Sequence, residues 1–444
     1  MILISEKRSE KTERQEKVDR QEKASRDEKL EKTDKSDKLD KRLIPDFNIG
    51  IVGHVDHGKT TLTEALTGKW TDTHSEEIKR GISIRLGYAE MTVYKCPKCK
   101  GTKAYSTAKK CINCFSSCEP VRTISFVDAP GHETLMATVL SGAALMDGAL
   151  LIIAANEACP QPQTSEHLTA LNIVGINKVI IVQTKIDLVT REQALANYQQ
   201  IRAFVKGTIA ENAPVIPISS RQRVNLDLLI ETMDSVMEIP ERDSGKIPKF
   251  LIARSFDVNK PGTEIEQLKG GVIGGSLTQG KLKVGDEIEI KPGVKMKDKY
   301  EPVFARITSM QKAGMNLNEL EPGGLAGIST TLDPYLTKSD SLSGSIASIP
   351  GKLPLVVSHA KFKTTLLKRV VGTKEEMEVG SLKTSDILMI TLATMRTTGS
   401  VVSARQNEVD VNLKSPLCAG KGERVALSKL FSGRWRLIGY GEIV

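Results

Sequence analysis

The chain has 444 residues, of which 39% are hydrophobic, 26% charged and 4% aromatic, and its formal net charge is +9. That length exceeds one ordinary hydrophobic core, so we expect two to four domains. The longest apolar run, 149–155, is too short to span a bilayer, and no signal-like apolar stretch follows the first four residues. These features argue against a membrane-spanning or secreted protein, and we expect a cytoplasmic one.

Residues 1–45 form a tail in which acidic and basic residues repeat with a period of three. From Glu10 to Lys41 an acid is followed directly by a base, and only Ser25-Arg26 breaks the series. Opposite charges recur at helical spacing, but no apolar face exists that could dock a helix. We therefore predict a disordered tail, with partner contact as the alternative.

After Pro45, apolar runs of strand length alternate with stretches of helical periodicity. Strands are expected at 47–53, 123–128, 148–154, 178–183 and 214–219, and helices at 61–68, 164–174 and 192–206. This alternation is typical of an α/β fold with a mostly parallel sheet. We place that domain at residues 46–243.

Beyond residue 243 short β-rich runs are separated by Pro-Gly pairs. Strands are expected at 250–257, 286–291, 303–309, 354–362, 386–394, 400–404, 408–414 and 423–430. Regular short strands with turn signals favour barrels or sandwiches. We predict two all-β barrel domains, 244–352 and 353–444.

The string Gly53-His-Val-Asp-His-Gly-Lys-Thr60 satisfies the phosphate-loop pattern G-x-x-x-x-G-K-[ST], between a strand and a helix. Lys59 would reach the β- and γ-phosphates, and the Thr60 hydroxyl would bind Mg²⁺. Backbone N–H groups of the loop would point at the phosphate oxygens. The residues assigned to nucleotide contact here are Asp56, His57, Gly58, Lys59, Thr60 and Thr61.

The string Thr184-Lys185-Ile186-Asp187 predicts that the base is guanine. Asp187 can accept hydrogen bonds from guanine N1–H and N2–H₂, which adenine lacks. Ser219 and Ser220 would complete the base pocket. Thr184 stands where this pattern usually has Asn, and we expect its hydroxyl to take over part of the loop bracing.

Two further short strings would grip the γ-phosphate. In Asp128-Ala-Pro-Gly131-His132, Asp128 would hold Mg²⁺ through water and the Gly131 amide would sense the phosphate. In the string 79–83, Ser83 offers a second Mg²⁺ ligand. Two loops on one phosphate would form an order–disorder switch.

Two Cys-x-x-Cys pairs lie eleven residues apart. The four thiols of Cys96, Cys99, Cys111 and Cys114 match a closed tetrahedral zinc site with a structural role. Iron–sulfur ligation is the alternative that this spacing leaves open.

Residues 46–444 closely resemble the gamma subunit of archaeal and eukaryotic translation initiation factor two, a translational GTPase of the elongation-factor-Tu kind. The strings that carry the resemblance, beyond the nucleotide motifs, are 79–89, 156–167, 254–262, 269–276 and 435–441. The resemblance implies a GTP-binding domain followed by two β-barrels, with a zinc knuckle in the first domain.

The resemblance also implies a function. In its GTP state such a protein binds methionyl initiator tRNA, delivers it to the small ribosomal subunit and hydrolyses GTP to GDP during start-codon selection. It works in a heterotrimer with the alpha and beta subunits of the same factor. No arginine finger stands out in the motifs, so we expect slow turnover that a partner or the ribosome stimulates.

Several residue roles follow from the same resemblance. His132 matches the residue that orients the attacking water, and Val55 and Ile82 match the apolar pair that gates it. Asp56 and Gly81 match positions near a second Mg²⁺ in some members. Tyr88 matches a residue near the aminoacyl end of the tRNA, and Ser83 replaces the family's usual Thr.

Two other functions remain open from the residues alone. One is a carrier of elongator or selenocysteinyl tRNA, which would use the same nucleotide chemistry. The other is a GTP-dependent scaffold with negligible hydrolysis.

Overall fold

A computed structural model of the chain describes residues 40–71, 86–132, 135–297, 299–371 and 377–444. The chain divides into two compact units, Met1–Leu43 and Ile44–Val444. In the first unit, the described part is a short turn, Lys41–Leu43, beside an Asp40–Arg42 ion pair of 2.9 Å. The rest of the tail, with its predicted disorder, lies outside the described residues. No helix in the described ranges is long and apolar enough to cross a membrane.

The second unit begins with a seven-stranded sheet in the order β3-β2-β4-β1-β5-β6-β7. Its strands are β1 (Pro45–Gly53), β2 (Gly87–Lys95), β3 (Tyr105–Ser106), β4 (Glu119–Asp128), β5 (Gly148–Ala154), β6 (Val179–Thr184) and β7 (Val215–Pro217). Five of them pair in parallel, while β2 and β3 run antiparallel at one edge. The predicted α/β class with a mostly parallel sheet is confirmed.

Within the described residues, five helices cover this sheet: α1 (Lys59–Thr67), α2 (Met136–Ala143), α3 (Pro162–Val174), α4 (Arg191–Val205) and α5 (Leu226–Val236). Successive side chains of a strand face opposite sides of the sheet, so the apolar strands fill two cores. In β5, Leu151 and Ile153 join the core under α2 and α3, and Leu150 and Ile152 join the core under α1 and α5. Because β1, β4 and β6 run in the same direction, their carboxyl ends meet at one edge of the sheet.

The second domain is a β-barrel. Its strands are β8 (Lys249–Phe256), β9 (Val272–Gln279), β10 (Leu282–Lys283), β11 (Glu287–Met296), β12 (Lys299–Lys312), β13 (Met315–Leu317), β14 (Glu319–Leu320), β15 (Ala326–Thr330) and β16 (Ile346–Ser348), with one helical turn, α6 (Pro334–Thr337). Pairing of β11 with β12 closes six of them into a ring, β11-β16-β8-β9-β15-β12. Inward residues such as Phe250, Ile252 and Ile288 fill its core.

The third domain is a closed six-stranded barrel in the order β17-β20-β19-β18-β21-β22. The strands are β17 (Val356–Leu366), β18 (Ile387–Leu392), β19 (Met395–Arg405), β20 (Glu408–Cys418), β21 (Arg424–Phe431) and β22 (Arg434–Ile443). The run 386–394, expected as one strand, ends at Leu392 because a tight turn with Ala393 at φ 48° starts the hairpin to β19. Two β-barrels after the α/β domain agree with the prediction.

Buried polar contacts join the first domain to both barrels. The Asn48 side-chain amide donates to Ser276 Oγ at 3.2 Å, on the second domain. Arg436 of the third domain forms an ion pair with Glu166 of α3, with 2.7 Å between Nη1 and Oε1. Both side chains are at most 7% exposed. Because an unpaired buried charge is costly, these contacts define the positions of the three domains closely.

Candidate nucleotide site and cysteine cluster

The phosphate loop connects β1 to α1 at the carboxyl edge of the sheet. Its backbone enters the left-handed region at Asp56 (φ 60°) and Gly58 (φ 87°). Backbone of this kind forms the concavities in which N–H groups bind anions. Lys59 is 6% exposed, and its Nζ donates to His54 O at 2.6 Å, across the loop. The predicted phosphate lysine therefore lies over the loop's own backbone.

The loop after β4 passes directly over Lys59. A Cβ placed on Gly131 would come within 2.4 Å of Lys59 Nζ and 2.9 Å of the Val55 backbone nitrogen. Any residue other than glycine would therefore require Lys59 or the loop backbone to move. The structure thus brings Lys59, Val55 and Gly131 together, as the sequence motifs require. His132 follows Gly131 and is half-buried.

Oxygen ligands gather beside the lysine at the end of β4. Thr60 Oγ1 donates to Asp128 Oδ2 at 3.1 Å, and Thr71 Oγ1 donates to the same oxygen at 2.6 Å. A carboxylate with hydroxyls is the hard oxygen set that suits Mg²⁺, so these residues fit the implied ion. Sequence reasoning missed Thr71, whose only signal is a hydroxyl just beyond α1. Gly81, Ile82 and Ser83 lie outside the described residues.

A cavity of about 680 Å³ opens next to the phosphate loop. It is lined by both predicted and unforeseen residues: Gly58, Thr61, Trp70, Thr184, Lys185, Asp187, Ser219, Ser220, Arg221 and Arg223. The buried Ser220 Oγ has no hydrogen-bond partner within the ranges that the structure describes. An orphaned hydroxyl in such a wall is the arrangement that a polar ligand completes. Trp70 and the two arginines were not predicted from the sequence.

Thr184 connects the base pocket to the phosphate loop. Its Oγ1 donates to His57 O at 2.7 Å and lies 3.5 Å from Ile153 O. The hydroxyl is buried, since Thr184 is 2% exposed. The contact is the loop bracing expected of this position.

Histidines anchor the phosphate loop from below. The His57 ring is buried, with Nδ1 3.0 Å from Ile152 O and Nε2 3.4 Å from Glu157 Oε2, so it points into the protein. Burial lowers the pKa of His57. His167 Nδ1 accepts from the Gly53 N–H at 2.8 Å, and burial lowers the pKa of His167 to about 3. His167 is therefore a neutral acceptor that holds the first glycine, a contact the sequence did not reveal.

Tyr88 lies on β2, where the first domain meets the second. Its hydroxyl is buried with no hydrogen-bond partner among the described residues, and burial raises the pKa of the phenol. An ion pair between Arg254 and Asp340, 2.9 Å apart, lies close enough to act on it electrostatically. The side chain thus belongs to the joint between the domains.

The four predicted zinc ligands come together between β2 and β4. Their sulfur atoms all lie within 4.8 Å of one another, with 3.4 Å between Cys96 and Cys114 and 3.7 Å between Cys99 and Cys111. Tetrahedral zinc with bonds of about 2.3 Å needs sulfurs about 3.8 Å apart, so the cluster fits a structural zinc ion. Hydrogen bonds from Ser116 lower the pKa of Cys114 to about 6, whereas hydrogen bonds with Cys114 and Cys111 raise the pKa of Cys99.

A phosphate loop, a cavity beside it lined by Asp187, and two β-barrels are the features of a GTPase of the elongation factor Tu class. The families described as elongation factor Tu GTP binding domain, elongation factor Tu domain 2, and initiation factor eIF2 gamma, C terminal, match residues 45–239, 270–345 and 358–443. More specifically, the chain belongs to the translation initiation factor 2 subunit gamma family.

Relatives from two archaea establish that membership. The translation initiation factor 2 subunit gamma of Methanothermobacter thermautotrophicus is 58% identical over 402 residues, 90% of this chain and 98% of that protein. The same subunit of Methanocaldococcus jannaschii is 57% identical over 402 residues, 90% and 97% of the two chains. The chain is therefore a translation initiation factor and a GTPase.

Solved structures share the fold. A bacterial selenocysteine-specific elongation factor, EF-Sec, has a TM-score of 0.69 at 24% identity over 90% of this chain and 58% of its own. Elongation factor SelB from Methanococcus maripaludis, in complex with the GTP analogue GppNHp, has a TM-score of 0.67 at 21% identity. The match covers 90% of this chain and 79% of SelB. At these identities the likeness concerns the fold alone.

Proposed function

We propose that this chain, in its GTP state, binds methionyl initiator tRNA, delivers it to the small ribosomal subunit and hydrolyses GTP during start-codon selection. It does so in a heterotrimer with the alpha and beta subunits of the same factor. The observation that carries the proposal is the base cavity lined by Asp187, Thr184 and Ser220 in a chain 58% identical to an initiation factor 2 gamma subunit. A protein of this family that selects guanine nucleotides can couple tRNA delivery to GTP hydrolysis, as the proposal requires.

In the proposed mechanism, water attacks the γ-phosphate in line. Lys59 neutralises the charge that develops on the phosphate oxygens, because its ammonium lies directly under the loop that carries Gly131. His132 orients the attacking water, and Val55 and Ile82 form the apolar gate that keeps other water away. Turnover of the isolated chain is slow, and a partner or the ribosome stimulates it.

When bound, Mg²⁺ would supply positive charge that offsets the charge of the phosphate oxygens. On the protein side, Thr60, Ser83 and, through water, Asp128 would hold it, with Asp56 and Gly81 near a second ion. The distances of 3.1 and 2.6 Å from Thr60 and Thr71 to Asp128 support the first part of this set. In guanine recognition, Asp187 accepts from the base edge, while Lys185, Ser219 and Ser220 shape the pocket.

The aminoacyl end of the tRNA lies near Tyr88. This role is carried over from the resemblance to the family, and the Tyr88 hydroxyl, buried at the joint between the first and second domains, would act through that joint. A structural zinc ion at the four cysteines would hold the loop between β2 and β4.

The proposed boundaries of the three domains are 46–243, 244–352 and 353–444.

The decisive experiment compares methionyl initiator tRNA with methionyl elongator tRNA in filter binding. The full chain is used with GTP or GDP, with and without the alpha and beta subunits. We expect tighter binding of the initiator tRNA, and only with GTP. Equal or stronger binding of elongator or selenocysteinyl tRNA would overturn the proposal in favour of another carrier.

A second measurement separates the switch from a passive scaffold. His132→Ala should retain GTP and tRNA binding but lose ribosome-stimulated hydrolysis. If the variant loses hydrolysis and still supports every other measured output, the passive scaffold is favoured. If it releases phosphate on the ribosome as fast as the parent chain, His132 has a different role.

A further inference from the structure

The loop between β2 and β4, residues 96–118, which we call the cysteine loop, is strongly basic. It contains five lysines and no acidic residue. All five are exposed: Lys98, Lys100, Lys103, Lys109 and Lys110. A zinc ion on four thiolates carries a charge of about −2, which two lysines offset, so roughly three positive charges remain for an outside partner.

An aromatic side chain stands at the tip of this loop in an unfavourable backbone conformation. Phe115 is 70% exposed and has φ 60°. The left-handed region is a genuine outlier for a bulky residue, and glycine occupies it without that cost. After the first cysteine pair a glycine takes this conformation, Gly101 at φ 60°, two residues past Cys99, whereas Phe115 directly follows Cys114. The turn at Phe115 is closed by its N–H, which donates to Cys111 O at 3.0 Å.

The ring of Phe115 is exposed, so packing in the core does not offset the free-energy cost of the left-handed backbone. Lys110 Nζ lies 5.9 Å from the centre of the ring, and Ile112, also 70% exposed, lies on the same turn. Strained residues persist where a function requires their geometry. A rigid aromatic face next to lysines is the combination that binds a base beside its phosphate.

A cleft beside the tip extends this surface. A cavity of about 390 Å³ is lined by Lys103, Tyr105, Ile112, Asn113 and Arg223, with Asp227 as the carboxylate on its wall. The Asn113 amide donates to Lys103 O at 3.1 Å, which joins the two halves of the loop at this point. Lys103, Arg223 and Asn113 therefore line a space that reaches the tip at Ile112, together with apolar side chains such as Leu66, Leu226 and Ile230.

We propose that the tip of the cysteine loop, formed by Lys103, Lys109, Lys110, Ile112 and Phe115, is a binding surface for single-stranded RNA. The lysines contact phosphates, and Phe115 stacks on an unpaired base. Charge complementarity selects a polyanion, and the strained aromatic side chain favours RNA over an acidic polypeptide, which has no bases to stack. None of these five residues lines the base cavity, although Arg223 lines both that cavity and the cleft beside the tip.

The test uses the full-length, zinc-loaded chain and a fluorescein-labelled 15-nucleotide poly(U) in anisotropy titrations from 50 to 200 mM KCl. Replacing three lysines, Lys103→Gln/Lys109→Gln/Lys110→Gln, should reduce the slope of log K against log salt by about 2, at about 0.7 per phosphate contact. A matched control, Lys206→Gln/Lys352→Gln/Lys421→Gln, removes the same charge from exposed lysines elsewhere and should change the slope by much less. An equal loss in both triple variants overturns the proposal, because net charge alone would then explain binding.

Substitutions of Phe115 provide an independent arm. Phe115→Ala and Phe115→Gly should each weaken poly(U) binding at least about fivefold at fixed salt and leave the salt slope unchanged. Phe115→Gly should also keep zinc and raise the melting temperature, because it relieves the left-handed strain. Phe115→Trp should bind RNA at least as well as the parent chain. Unchanged RNA binding in Phe115→Gly, or displacement of poly(U) by poly-glutamate at equal charge, overturns the RNA assignment.

Discussion

The hydroxyl of Thr184 is the most direct link between base recognition and the phosphate loop. Thr184→Val removes the hydroxyl but keeps the branched shape that suits the end of β6. The 2.7 Å hydrogen bond to His57 O is then lost in a region where Thr184 is 2% exposed, so a buried carbonyl remains unpaired. Such a loss costs about 1–3 kcal/mol. If the phosphate-binding conformation of the loop bears that whole cost, GTP binds about 5- to 150-fold more weakly.

Calorimetric titration with GTP and GDP in saturating Mg²⁺ measures this effect. Thr184→Ser keeps the hydroxyl and should bind within about threefold of the parent chain. Both nucleotides should weaken together in Thr184→Val, because the brace acts on the loop and not on the γ-phosphate. A valine variant that binds GTP like the parent chain would refute the bracing role. A variant that loses only GTP would mean that Thr184 acts through the switch loops.

Three other perturbations follow from buried polar groups. Arg436→Met should lower the free energy of unfolding by about 3–5 kcal/mol, because Glu166, at 0% exposure, then loses its ion pair with Arg436. Adding Glu166→Leu should recover most of this loss, and a single variant as stable as the parent chain would contradict the reasoning. Burial lowers the pKa of Lys312 to about 8. Between pH 8 and about 10.4 the unfolded chain then binds more protons than the folded chain, so the free energy of unfolding rises with pH in this range. The rise is at most about 3 kcal/mol. Melting curves of Lys312→Met, measured across the same pH range, should lack it. Thr71→Val should raise the Mg²⁺ concentration needed for GTP binding severalfold, because Asp128 loses the 2.6 Å hydrogen bond that orients it, whereas Thr71→Ser should not.

Much of the first domain could be predicted because its strands are buried on both faces. The run 148–154 matches β5 residue for residue, since such strands read as continuous apolar segments. By contrast, β2 went unnoticed because the strand Gly87–Lys95, next to the edge of the sheet, mixes Glu, Thr and Lys with its apolar residues. β9 was missed for another reason: its two glycines, 274 and 275, weaken any strand pattern, although a Cβ at Gly275 would come within 1.8 Å of Leu251 O.

The site divides in the same way between local motifs and long-range contacts. The phosphate loop, Asp128 and Asp187 were predictable because each is encoded in a few consecutive residues next to a strand. His167 lies 114 positions from the Gly53 amide that it accepts from, and Thr71 lies 57 positions from Asp128. Such contacts depend on the tertiary fold and have no local pattern. Trp70 and Arg223 reach the base cavity for the same reason.

The central claim is a magnesium-dependent pocket that selects guanosine triphosphate through Asp187. Isothermal calorimetry of the full chain with GTP and with ATP, in the presence of Mg²⁺, tests it most directly. We predict one GTP site per chain and ATP binding at least about 10⁴-fold weaker, because ATP would leave buried polar groups unpaired. Comparable affinities for ATP and GTP, or no heat of binding with GTP, would contradict the account.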